Sequence, residues 1–89
     1  MKMIENPEYH WTQAVSNKLI GCRVTDVRYM TKEEADESGW FNRPLVIEFF
    51  SPEKEKYFAL YPMRDDEGND GGAMGTSLDD LQTIPVLMR

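Results

Sequence analysis

The residues with the most chemical potential are crowded into one stretch, Arg64-Asp65-Asp66-Glu67-Gly68-Asn69-Asp70-Gly71-Gly72-Ala73-Met74-Gly75. It holds four acids and four of the chain's six glycines. Asp65, Asp66, Glu67, Asn69 and Asp70 place many oxygens within six positions, the donor set that a hard cation such as Ca²⁺ or Mg²⁺ takes. The EF-hand spacing is not met. Counted from Asp65, the sixth position is Asp70 where glycine is required; counted from Asp66, the third is Gly68. The twelfth is Thr76 or Ser77 in place of a bidentate glutamate. Metal binding through Asp65, Asp66 and Asp70 is therefore one reading among three. The second is structural: Asx-turns and glycines at positive φ fold the loop, with Arg43 or Arg64 paired to its carboxylates. The third is recognition, in which Gly71-Gly72 lets another backbone or a ligand approach closely. A phosphate cradle is excluded, because no Lys-Ser or Lys-Thr follows the glycines and the acids repel phosphate.

Catalytic chemistry finds little material. The chain has one histidine, His10, and one cysteine, Cys22. Neither stands in a local Ser-His-Asp or Cys-His spacing, and surface acids are ordinary in an acidic protein. No catalytic residue is assigned. A lone cysteine excludes an intramolecular disulfide and a Cys-rich zinc site, and it fits a reducing compartment.

The formal charge of −6, from ten basic and sixteen acidic residues, disfavours direct binding to nucleic acid or to anionic lipid. The longest aliphatic run, Leu45-Val46-Ile47, is far short of a membrane span. Met1–Asn6 shows no apolar signal core, so the expected location is cytoplasmic. Eighty-nine residues suffice for one domain, 1–89, with a modest core.

The elements that must hold the loop are legible in order. Asn6 and Pro7 read as an N-cap and first helical position. Trp11, Ala14, Val15, Lys18 and Leu19 then form one stripe of a helix from Pro7 to Leu19, stopped by Gly21. Trp11 is expected to anchor that helix to a sheet. Cys22 to Met30 reads as a strand with Cys22 buried. Val24 and Val27 fall on opposite parities, which predicts a bulge near Thr25-Asp26 or two covered faces. Thr31 and Glu34 form a capping box opening a short helix, closed by Gly39. Leu45–Phe50 and Tyr57–Met63 are strands of an antiparallel hairpin across the polar turn 51–56. Ser77 leads a turn through Leu81, and Ile84–Met88, broken by Pro85, is an edge strand. Most connections are too short for parallel crossovers. The expected class is α+β: an N-terminal helix on a four-stranded, mainly antiparallel, strongly twisted sheet, or a partial barrel of SH3-like or Sm-like type.

Gly39-Trp40, Arg43-Pro44-Leu45-Val46-Ile47, Pro62, the run Asp65–Ala73 and Leu81 through Pro85-Val86-Leu87 together resemble a family of small uncharacterised proteins of bacteria and their phages. The resemblance spans the chain from Gly21 onward, with Met74-Gly75 departing from the bulkier apolar pair expected there. It implies no known activity.

The expected function is a binding or interaction module presenting Arg64, Asp65, Asp66, Glu67, Asn69, Asp70, Gly71 and Gly72, flanked by Trp40 and Arg43, to a protein or small ligand, or within a homo-oligomer. A Ca²⁺- or Mg²⁺-binding domain is one alternative. The other is an acidic phage-type inhibitor of a host protein, since 33–37 and 65–70 carry half of all the acids.

Overall fold

A computed structural model describes residues 6–89, so the reading of the N-terminal leader falls mostly on residues outside this range. Helix α1 (Pro7–Leu19) begins where the Asn6 side chain accepts a hydrogen bond from the Tyr9 N–H at 3.0 Å, with Pro7 in the first turn. Strand β1 (Arg23–Tyr29) leads into α2 (Lys32–Ser38). Both halves of the α2 capping box form: Thr31 Oγ1 accepts from the Glu34 N–H, and Glu34 accepts from the Thr31 N–H. Gly39 ends α2 at φ +73°, a conformation that costs glycine least. The remaining strands are β2 (Asn42–Arg43), β3 (Leu45–Ser51), β4 (Lys56–Leu60), β5 (Met74–Leu78), β6 (Leu81–Ile84) and β7 (Leu87–Met88).

Two helices and antiparallel strands make the class α+β, but the single four-stranded sheet is not what forms. Among the described residues the strands make three separate sheets: β1-β3-β4, β2-β7 and β5-β6. Prolines explain the partition. Pro44 separates β2 from β3 and Pro85 separates β6 from β7, and neither residue has an N–H for a ladder. The Ser77-led turn is corrected as well. Residues 74–84 are a hairpin whose tight connection is Asp79-Asp80, with the Thr76 hydroxyl donating to the Leu81 carbonyl.

The bulge falls at Thr25, between the paired positions Val24 and Asp26. That one extra residue resets the pleat. Val24 pairs with Phe49, which pairs with Phe58, and Val27 pairs with Ile47, which pairs with Leu60, so all six share one face. Phe49 and Phe58 stack with ring centres 5.2 Å apart.

Helix α1 does not seal that face. No side chain of α1 is buried, and Trp11, the expected anchor, is 58 % exposed. Cys22 is half-buried rather than buried, its thiol donating to the Lys18 carbonyl. The core lies elsewhere. Met30, Ala35, Trp40 and Val46 cluster where α2 meets β1 and β3, and Pro44 beside them is fully buried. A radius of gyration of 15.0 Å, against about 12 Å for a closely packed chain of this length, agrees with the open helix.

Candidate functional site: the acidic loop

The loop is a closed excursion of the chain between Pro62 and Gly72. Its base is tied twice, by the Gly72 N–H donating to the Pro62 carbonyl at 3.0 Å and the Arg64 N–H donating to the Asp70 carbonyl at 2.9 Å. Met63 and Gly71 pair as an isolated antiparallel bridge between these ties. The tip is an Asx-turn: Asp65 Oδ1 accepts from the N–H groups of Glu67 and Asn69, and Asp65 Oδ2 accepts from the Asn69 side-chain amide at 2.9 Å. The hydrogen bond from Asn69 holds the Asp65 carboxyl below its ordinary range, although partial desolvation opposes it. Gly68 supplies the positive φ of +73° that completes the turn.

Two residues clamp the loop to the core. The Trp40 indole N–H donates to the Gly68 carbonyl at 2.8 Å, and the Trp40 ring meets Tyr61 edge-on at 5.8 Å. Asp70, only 5 % exposed, faces inward. Its Oδ1 accepts from the backbone N–H groups of Asn42 and Gly71 at 3.0 and 2.8 Å, and its Oδ2 accepts from the Asn42 side chain at 3.3 Å. Burial pushes the Asp70 carboxyl up, but the N–H donors of Asn42 and Gly71, together with the Arg64 charge, outweigh it and hold the group below the usual carboxylate range.

The glycines of 71–72 are a close approach, as read from the sequence, but the approaching groups belong to the same chain. A Cβ on Gly71 would stand 2.6 Å from Pro44 Cδ, and one on Gly72 would stand 3.0 Å from the Met63 carbonyl group. Their small size seats the loop on its own scaffold.

Several expected roles change. Trp40 is 6 % exposed and supports the loop from behind instead of offering an indole to a partner. Arg43 does not pair with the loop acids. Its Nε donates to the Met88 carbonyl and its Nη1 to the Met30 carbonyl, so it fastens β7 to the core. Arg64 does meet Asp65, at 3.9 Å on the surface, a contact of little energetic weight. The three metal candidates do not converge: oxygens of Asp65 and Asp70 are taken by N–H donors, and among the described residues no group of three His, Cys, Asp or Glu side chains is placed to hold a metal ion. His10 stands on α1 against the Trp11 ring, and neither it nor Cys22 bonds to the loop acids.

Asn42 and Pro44 were not legible as site residues. Asn42 supplies a backbone and a side-chain donor to the same carboxylate across 28 positions of sequence, and no local pattern announces that. Asp66 and Glu67 remain at the rim, exposed, their carboxylates without a hydrogen bond or ion pair among the described residues.

No family model, curated protein or solved structure matches the chain. The functional reading therefore rests on the loop's geometry. No helix among the described residues is long and apolar enough to cross a membrane.

Proposed function

We propose that this protein is a small cytoplasmic recognition module, of the bacterial and phage kind it resembles, and that its working surface is the rim of the 64–72 loop. The observation that carries the reading is a division of labour among the acids. Asp65 spends its oxygens on the loop's own N–H groups and Asp70 on those of Gly71 and Asn42, while Asp66 and Glu67 project from the same frame with their charges uncommitted. A frame held by Trp40, Asn42 and Pro44 pre-pays the ordering entropy that a mobile loop would lose on binding. Two adjacent carboxylates with that support suit a basic patch on a partner protein, where complementary charge sets specificity and speeds encounter.

The test compares wild type with a double variant, Asp66→Lys with Glu67→Lys, as baits in a native lysate, with thermal melts of both. The reading expects a captured partner that the variant loses while its Tm stays near wild type. Identical capture by both baits excludes the rim as the working surface.

A further inference from the structure

Between α1 and the edge strand β4 with its adjoining turn runs a groove of about 620 Å³, separate from the acidic loop, none of whose residues lines it. Its size falls in the range of ligand-binding clefts, roughly 300–1,000 Å³. The groove has a direction. Trp11 and Val15 from the helix and Phe58 and Leu60 from β4 wall one end, whereas Lys18, Lys54 and Lys56 gather at the other. Along the helix, Trp11 and Lys18 are about 10 Å apart; along the strand, Lys56 and Leu60 are about 13 Å apart. All three lysines line the same groove, and the charge of Lys54 pushes the Lys18 ammonium below the usual lysine range. None of the three lysines is ion-paired among the described residues, and neither Glu53 nor Glu55 of the adjoining turn lines the groove. A concentration of unpaired positive charge on a chain of net charge −6 calls for an acidic occupant.

Three occupants are conceivable, and the geometry separates them. A two-fold copy of the same patch brings no carboxylate to the lysines, because no Asp or Glu lines the groove, and a copy presenting its acidic face makes a heterologous contact that needs a ring or a filament. A free alkyl carboxylate would lie half in water, because Trp11 and Val15 on the helix wall are themselves exposed. A peptide brings its own second wall. In addition, β4 is an edge strand, whose outer N–H and C=O groups offer ladder partners to an extended segment.

We propose that this groove docks a segment of a partner protein that carries apolar side chains at one end and carboxylates at the other. The apolar end lies between Trp11 and Leu60, and the carboxylates meet Lys18, Lys54 and Lys56. This surface is independent of the acidic rim, so either assignment stands if the other fails.

The experiment pans a random dodecapeptide display library on the wild-type chain and on a Lys54→Glu, Lys56→Glu variant. Both substitutions are at exposed positions, and melts of each protein check that the fold is kept. The expected result is enrichment of peptides joining an apolar run to Asp or Glu, with binding about tenfold or more weaker on the variant, as loss of close charge pairs produces. The enriched peptide should shift the tryptophan emission of wild type to the blue and leave a Trp11→Phe protein unchanged. The assignment is overturned by failure to enrich, by enriched peptides without acids, by equal binding to the variant, or by an emission change that survives Trp11→Phe. Decanoate and sedimentation serve as the remaining arms. Saturable decanoate binding with the same lysine dependence, in place of peptide enrichment, would assign the groove to a lipid-like anion, and a wild-type dimer abolished by Trp11→Phe would assign it to a second copy.

Discussion

The Asp70 carboxylate and Asn42 are joined twice, through the Asn42 backbone N–H at 3.0 Å and its side-chain amide at 3.3 Å. This pair couples the loop to the segment that connects α2 with β3, and it turns the most buried loop acid into an internal fastener. Asp70→Asn should lower Tm clearly, because the new amide keeps one oxygen for the backbone N–H groups of Asn42 and Gly71 but turns an NH2 toward the Asn42 side-chain amide and removes the charge that strengthens all three bonds. Asp66→Asn, at an exposed and unpaired position, should leave Tm within about a degree or two. Thermal melts of the two variants side by side decide it; equal losses would remove Asp70 from its structural role.

Trp40→Phe keeps one aromatic ring but deletes the indole N–H and the second ring, stranding the Gly68 carbonyl and leaving a cavity. The expected destabilisation is at least about 1–2 kcal/mol, or roughly 4–16 °C in Tm for a domain of this size. Amide exchange should quicken at 65–69 more than in β3. Uniform quickening would mean that Trp40 supports the core and has no particular hold on the loop.

Gly71→Ala should cost about 1–3 kcal/mol, since its Cβ meets the fully buried Pro44 ring and overpacking of that kind is resisted by a filled core. Gly75→Ala is the control: open space surrounds its position and its φ is not positive, so little change or a slight gain is expected. Urea titrations of both variants supply the comparison.

Acid should weaken the protein in a defined window. Glu34 accepts two hydrogen bonds from Arg28, at 2.8 and 3.1 Å, and one from the Thr31 N–H. These lower its pKa from 4.5 to about 2. A folded-state pKa below the unfolded one contributes stability that is present above about pH 4.5 and is lost as the pH falls toward 2. Glu34→Gln should therefore melt lower than wild type at pH 7, with the difference much reduced by pH 2.5. A difference that persists undiminished at pH 2.5 would assign the loss to something other than the carboxylate charge.

Saturating Ca²⁺ or Mg²⁺ should leave Tm unchanged. Any ligand that binds the folded form alone raises stability by mass action, and the oxygens of Asp65 and Asp70 are already occupied by N–H donors. A rise with millimolar Ca²⁺ in calorimetry would restore the metal reading.

The sequence by itself determined the local elements. The bounds of α1, the α2 capping box, the left-handed Gly39 and the β3-β4 hairpin all follow from interactions spanning a few residues, whereas the parities of Val24 and Val27 left a bulge and two covered faces both open until β1 met β3. Each of the former is governed by sterics and short hydrogen bonds that composition announces directly. The Asx-turn at Asp65 belongs to the same class. Tertiary structure alone decided which strands share a ladder, that Trp11 stays exposed while Trp40 is buried, and that Arg43 serves Met88 and Met30 instead of the loop. It also decided which acids face in. Asp66 and Asp70 are alike in type and four positions apart. They differ because one meets Asn42, donated from a segment 28 residues away, and the other meets water. Burial and long-range pairing depend on where distant segments of the chain come to rest, and no local spacing encodes that.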